Sequence, residues 1–102
     1  GEQKVISFLG NMRAEQRFSA FLLDLSSRYA KRGYSSTRFQ LRMTREDIGN
    51  YLGLTIESVS RLISKMRNDG LVEIRQRNIE ILDLARLKRL AEGIETLSLK
   101  SF

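Results

Sequence analysis

Three residues on one short stretch of the chain have the chemistry to read a base pair. Glu57, Ser60 and Arg61 fall at about 0°, 300° and 40° on a wheel turning 100° per residue, with Ser64 at about 340° and Asn68 at about 20°. Ile56, Val59, Leu62, Ile63 and Met66 take the opposite arc, between about 140° and 260°. A glutamate accepts a hydrogen bond from cytosine N4, and an arginine donates two to guanine O6 and N7. The polar arc is nearly neutral, with one acid and one arginine among short polar side chains. A purely electrostatic surface would instead be Lys and Arg throughout. An acid facing a polyanion repels phosphate, so its presence favours base readout. The plainer alternative is that Glu57 and Arg61 form only a surface ion pair at i, i+4, worth ~0.3–0.5 kcal/mol.

Contacts to the nucleic-acid backbone would come from the rim of this face. Thr44, Arg45, Thr55 and Ser58 stand at expected helix N-termini, where hydroxyls, free N–H groups and the helix dipole favour phosphate. Arg75 and Arg77 sit at an expected hairpin tip that could reach a flanking phosphate or the minor groove. As a solvated turn they would do neither.

The elements that must position these residues are legible from periodicity. Phe18, Phe21, Leu22, Leu25 and Tyr29 recur at helical spacing and predict a helix over residues 12–32, capped by Asn11 and stopped at Gly33. Residues 38–43 alternate, with Phe39, Leu41 and Met43 opposed to Arg38, Gln40 and Arg42, which predicts a half-buried strand. Thr44 caps a helix over 45–52 that stops at Gly53, and a second helix runs from after Thr55 to about Asp69. Gly49 suits a close helix crossing and Gly53 a turn with φ > 0. Ile48, Leu52, Val59 and Leu62 supply their shared core. Residues 71–82 read as a hairpin turning near Gln76–Asn78, and a last helix spans Asp83 to about Glu92. The tail, 93–102, has no strong pattern and is expected to fray. Residues 1–10, with Val5, Ile6, Phe8 and Leu9, read as the end of a longer helix. The fold expected for 11–92 is mainly α with a small antiparallel β-hairpin or sheet, a winged helix-turn-helix.

Composition narrows the function classes. The 102 residues suit one small domain. Eighteen Lys and Arg against 12 Asp and Glu leave a net charge of +6, which suggests an anionic partner. The chain has no Cys and no His. That excludes a disulfide scaffold, thiolate metal sites, a cysteine nucleophile and the Ser-His-Asp triad, so no metal ligands and no catalytic residues are expected. No apolar run approaches a membrane span of ~18 residues, and the stretch from Val5 to Leu9 is too short for a signal h-region; the chain reads as cytoplasmic. Two other classes fit less well. A winged helix used only for protein–protein contact would explain the fold but not the Glu57, Ser60, Arg61 arc. A carboxylate-metal nuclease would need converging acids, whereas Glu46 and Asp47 are adjacent on a helix and point apart.

The segment from Thr44 to Leu62, TREDIGNYLGLTIESVSRL, closely resembles the DNA-binding region of the Crp/Fnr family. The Glu57-x-x-Ser60-Arg61 pattern is similar to that of the FNR branch, the anaerobic regulators; the cAMP-receptor branch carries an arginine at the position of Ile56. The resemblance extends through Arg32-Gly33-Tyr34-Ser35 and Phe39-Gln40-Leu41 and covers roughly residues 1–90. It implies a bacterial transcription regulator, typically an activator, that binds a two-fold operator as a homodimer. Its half-site would be TTGAT, with Arg61 on the guanine, Glu57 on the paired cytosine and Ser60 on a neighbouring thymine. Positions matching Arg45, Thr55 and Ser58 tend to hold phosphates in the family, and the loop Gly33, Tyr34, Ser35 matches a surface presented to RNA polymerase. The resemblance also implies that residues 1–10 end an inter-domain dimerisation helix. FNR proteins carry a cysteine-ligated iron–sulfur cluster in an N-terminal sensor, and this chain, without cysteine, is expected to be a fragment lacking it. Its wing tip, Arg75-Gln76-Arg77-Asn78, departs from the family's usual Gly-Lys.

Overall fold

A computed structural model describes residues 13–95 and 97. The helix end expected at 1–10, the Asn11 cap and most of the tail lie outside the described residues. The order is α1 (Ala14–Lys31), β1 (Arg38–Gln40), α2 (Arg45–Leu52), α3 (Ile56–Asn68), β2 (Val72–Arg75), β3 (Asn78–Ile81) and α4 (Leu84–Ala91). The expected class, mainly helical with a small antiparallel sheet, is the one observed.

Helix α1 starts at Ala14, two residues later than expected, with Arg13 at the N-cap and no side-chain cap. It ends as its sequence predicts: Gly33 takes φ +85°, and the Gly33 and Tyr34 amides donate back to Ala30 O and Tyr29 O, closing the last carbonyls of the helix. Phe18 and Leu22 are fully buried, and Phe21, Leu25 and Tyr29 pack partly buried around them. Two serines share the buried side because each hydroxyl finds a carbonyl: Ser19 donates to Glu15 O (2.7 Å) and Ser26 to Ser36 O (2.6 Å), which removes the penalty of an unpaired buried hydroxyl.

The three strands pair in the order β1-β3-β2, all antiparallel. Phe39, Ile79 and Ile74 lie side by side across the sheet on its inner face, with Val72 opposite Ile81, and all five are buried. The opposite face carries Arg38, Gln40, Glu73, Arg75, Asn78 and Glu80. Only three of the six residues expected in the first strand pair with β3, because β3 itself begins at Asn78. Beyond Gln40 the chain keeps its alternation: Leu41 is buried and Arg42 exposed. Its ladder partner is the hairpin turn, where the Leu41 amide donates to Arg77 O (2.6 Å).

The hairpin closes one residue tighter than expected. Arg75 pairs with Asn78, so the loop is Gln76-Arg77 alone. Gln76 has φ +57° and Arg77 is not in the positive-φ region, the pattern of a II′ turn, whose first central position is usually glycine.

The described residues of the tail also depart from expectation. Gly93 takes φ +77° after α4, Leu97 is buried in the core, and its amide donates to Glu15 Oε2 at the start of α1 (2.9 Å). Residues 93–95 and 97 are therefore tied to the body, and fraying does not describe them.

Candidate nucleic-acid interface

The pair α2 and α3 is set by local chemistry at every joint. Thr44 opens α2 with a reciprocal cap: its Oγ1 accepts from the Asp47 amide (3.0 Å), and Asp47 Oδ2 accepts from the Thr44 amide (3.1 Å). Helix α2 ends at Leu52, and Gly53 takes φ +73°, a conformation costly for a side chain. The Leu54 amide donates back to Gly49 O (2.8 Å), which folds the turn tightly over α2. A Cβ on Gly49 would lie 2.5 Å from Leu54 O. The expected need for a small residue in this helix is thus met, and the atom that imposes it is the turn's own backbone. Arg17 of α1 adds a contact that sequence reasoning missed, its Nη2 donating to Leu52 O at the end of α2 (2.5 Å).

Helix α3 then presents two separate faces. Val59, Leu62, Ile63 and Met66 are buried, and Glu57, Ser60, Arg61, Ser64 and Asn68 are exposed. Ile56 is the exception to the expected apolar arc. It stands at the arc's edge in the first turn and is 47% exposed, on the open side of the helix start. Thr55 caps α3, accepting from the Ser58 amide (3.1 Å). Its Oγ1 also donates to Ser58 Oγ (3.0 Å), and Arg61 Nη2 donates to the same Ser58 Oγ (3.3 Å). Arg61 is therefore engaged with Ser58 and not with Glu57, so the simple i, i+4 ion pair is not what holds it.

The remaining expected contacts lie around this helix. Arg45 is the first residue of α2, half-buried at the rim. Arg75 and Arg77 are exposed at the hairpin tip. No hydrogen bond or ion pair among the described residues joins Arg45, Arg75 or Arg77 to Glu57, Ser60 or Arg61, so these groups stand as separate features. Gly33, Tyr34 and Ser35 are exposed on the loop after α1. There Tyr34 packs edge-on against Tyr29 (centroids 6.1 Å apart), and Ser35 Oγ accepts from the Thr37 and Arg38 amides (3.2 and 3.1 Å).

Charge pairing sharpens the picture. Asp24 holds Arg28, Glu80 holds Arg38, Glu73 holds Arg67, and Asp69 and Glu95 hold Arg86. Among the described residues, Arg42, Arg45, Arg61, Arg75 and Arg77 have no carboxylate within ion-pair reach. Cations at the start of α2, on α3 and at the hairpin tip thus have no carboxylate partner among the described residues, and the same holds for Lys31, Arg32 and Lys88 elsewhere on the surface. No group of three or more His, Cys, Asp or Glu converges for a metal among the described residues. No helix among them is long and apolar enough to cross a membrane.

Comparison with known proteins agrees with this geometry. Residues 16–90 match the family model of the Crp-like helix-turn-helix domain. The chain is 58% identical over 87 residues to the transcriptional regulatory protein btr of Bordetella pertussis, covering 85% of this chain and 36% of that protein. It is 45% identical over 91 residues to the fumarate and nitrate reduction regulatory protein of Vibrio cholerae, covering 89% of this chain and 36% of that protein. The chain thus spans about a third of the length of these relatives. Among solved structures, FixK2 from Bradyrhizobium japonicum superposes with a TM-score of 0.69 at 34% identity, over 86% of this chain and 43% of that one. The fold, the two-faced α3 and the family match together place this chain in the Crp-like helix-turn-helix family, as a DNA-binding domain of the kind carried by Crp/Fnr transcription regulators.

Proposed function

We propose that this domain reads a TTGAT-like half-site of an inverted repeat in the major groove of duplex DNA. Arg61 donates to the guanine, Glu57 accepts from the paired cytosine, and Ser60 meets a neighbouring thymine. Thr44, Arg45, Thr55 and Ser58 hold phosphates around them, and Arg75 and Arg77 reach the flanking backbone from the wing. The observation that carries this reading is the exposed, nearly neutral arc Glu57, Ser60, Arg61 on a helix whose other face is buried. Such an arc favours base edges over phosphates as its targets.

The reading is tested by titrating a labelled TTGAT duplex. Arg61→Ala and Glu57→Ala are each expected to lose ~1–3 kcal/mol on it and to relax base preference at their own position. Arg45→Ala is expected to weaken binding to all duplexes alike and to flatten the salt dependence. Unchanged affinity and base preference in both arc variants would sink the readout assignment.

On the same reading, the regulator that contains this domain acts in the cytoplasm as a homodimer on two half-sites, and the loop Gly33, Tyr34, Ser35 faces RNA polymerase. An iron–sulfur cluster, if the regulator has one, would need ligands from elsewhere. This chain has no cysteine, and its described residues gather no metal-binding group.

A further inference from the structure

We infer that Ser58 is a positioning residue for Arg61, so that a phosphate contact and a base contact act as one unit. The inference rests on the readout role proposed above for Arg61. Its basis is a hydrogen-bond inventory at the start of α3. A serine hydroxyl has one hydrogen and two lone pairs. Ser58 Oγ receives the Thr55 hydroxyl (3.0 Å) and Arg61 Nη2 (3.3 Å), which occupies both lone pairs. Thr55 Oγ1 in turn accepts from the Ser58 amide (3.1 Å), which fixes the pair to the helix start. The one group left over is the Ser58 O–H, a donor on the first turn of a helix and therefore suited to an anionic oxygen. Two donors pulling on Ser58 Oγ also polarise that O–H and strengthen what it donates.

The same inventory leaves Arg61 competent. A guanidinium has five N–H groups, and only one is spent on Ser58. Four remain, enough for the two-pronged contact with guanine O6 and N7. An exposed arginine samples many rotamers, and holding it at Ser58 removes much of that freedom before DNA arrives. Phosphate bound at the Ser58 O–H would in turn strengthen the Ser58 to Arg61 link. Ser58 should then influence which base is chosen, a property that a simple phosphate anchor lacks.

The test uses this chain at low salt, with two duplexes that differ only in the G·C pair of the TTGAT half-site. Dissociation constants are measured for the parent, Ser58→Ala, Ser58→Thr, Arg61→Ala and the Ser58→Ala/Arg61→Ala double variant. Ser58→Ala is expected to lower the discrimination between duplexes by about 3–10-fold, beyond any loss common to both, and Ser58→Thr to restore it. In the Arg61→Ala background, Ser58→Ala should no longer change the ratio. If Ser58→Ala weakens both duplexes equally and the ratio stays at the parent value, Ser58 is only a phosphate anchor and the inference is overturned. If Arg61→Ala itself keeps the parent ratio, the underlying readout role of Arg61 fails instead.

Discussion

Replacing Gly49 by alanine should destabilise the domain by about 3 kcal/mol and abolish DNA binding at temperatures where the parent is folded. The sign runs against local propensity, since alanine in a helix interior is favoured over glycine by roughly 0.5–1 kcal/mol. Contact geometry decides the outcome. The new Cβ would sit 2.5 Å from Leu54 O, with Val59 Cγ2 a further 3.5 Å neighbour. The first of these is backbone, held by its own amide's bond to Gly49 O (2.8 Å), so it cannot swing aside as a long side chain would. Relief requires α2 and α3 to separate, which opens the core between Ile48, Leu52, Val59 and Leu62. Thermal unfolding followed by circular dichroism should show a fall of more than about 10 °C. A variant as stable as the parent would mean that α2 and the turn are not packed as described.

Arg86→Ala is expected to be similarly severe, at about 3 kcal/mol. Arg86 Nη2 pairs with Asp69 Oδ2 (3.0 Å), and its Nη1 donates to Asp69 O (2.9 Å). The Asp69 side chain is only 6% exposed, so it cannot exchange the guanidinium freely for water. Asp69 is also the C-cap of α3. A cation on that terminus satisfies an end carbonyl and complements the helix dipole, and its loss would loosen the far end of the helix that carries Arg61. On its other side Arg86 binds Glu95, which also accepts from Arg89 (2.8 Å). The donors on Arg89 and Arg86 hold the Glu95 carboxyl below its ordinary range. A depressed carboxyl contributes stability that is present above the unfolded-state value and lost as pH falls through the folded one. The parent should therefore shed part of this advantage below about pH 4, and the gap between parent and Arg86→Ala should narrow there. Paired melts at pH 7 and pH 3.5 check both statements. A constant gap would remove Glu95 from the account.

What the sequence made legible was what local chemistry decides. The bounds of α2 follow from a capping threonine at 44 and a glycine at 53, and they fall where those residues place them. The two faces of α3 follow from its periodicity, and the sheet's inner face from simple alternation. Several departures depend on what lies elsewhere in the fold. The first strand is shortened because β3 starts at Asn78, leaving Leu41 to bond the turn. Ile56 is exposed because the core does not extend to the helix start, which a wheel cannot show. Leu97 is held by Glu15, 82 positions away. Arg17 and Arg86 carry no distinguishing pattern in the sequence, yet each closes a helix end contributed by another part of the chain. At the site itself, the i, i+4 spacing of Glu57 and Arg61 offers an ion pair as the plainer alternative to base readout. The competing acceptor was Ser58, one turn back at i−3, and this spacing could have been weighed from sequence alone.

On the function proposed above, α3 selects DNA sequence through Glu57, Ser60 and Arg61. The most direct test is selection of bound duplexes from a random pool by this domain, followed by sequencing, with Arg61→Ala selected in parallel. The parent should enrich TTGAT, and the variant should lose preference at the guanine. A parent pool that stays random, or that converges on a half-site with no G·C preference sensitive to Arg61, would contradict this function.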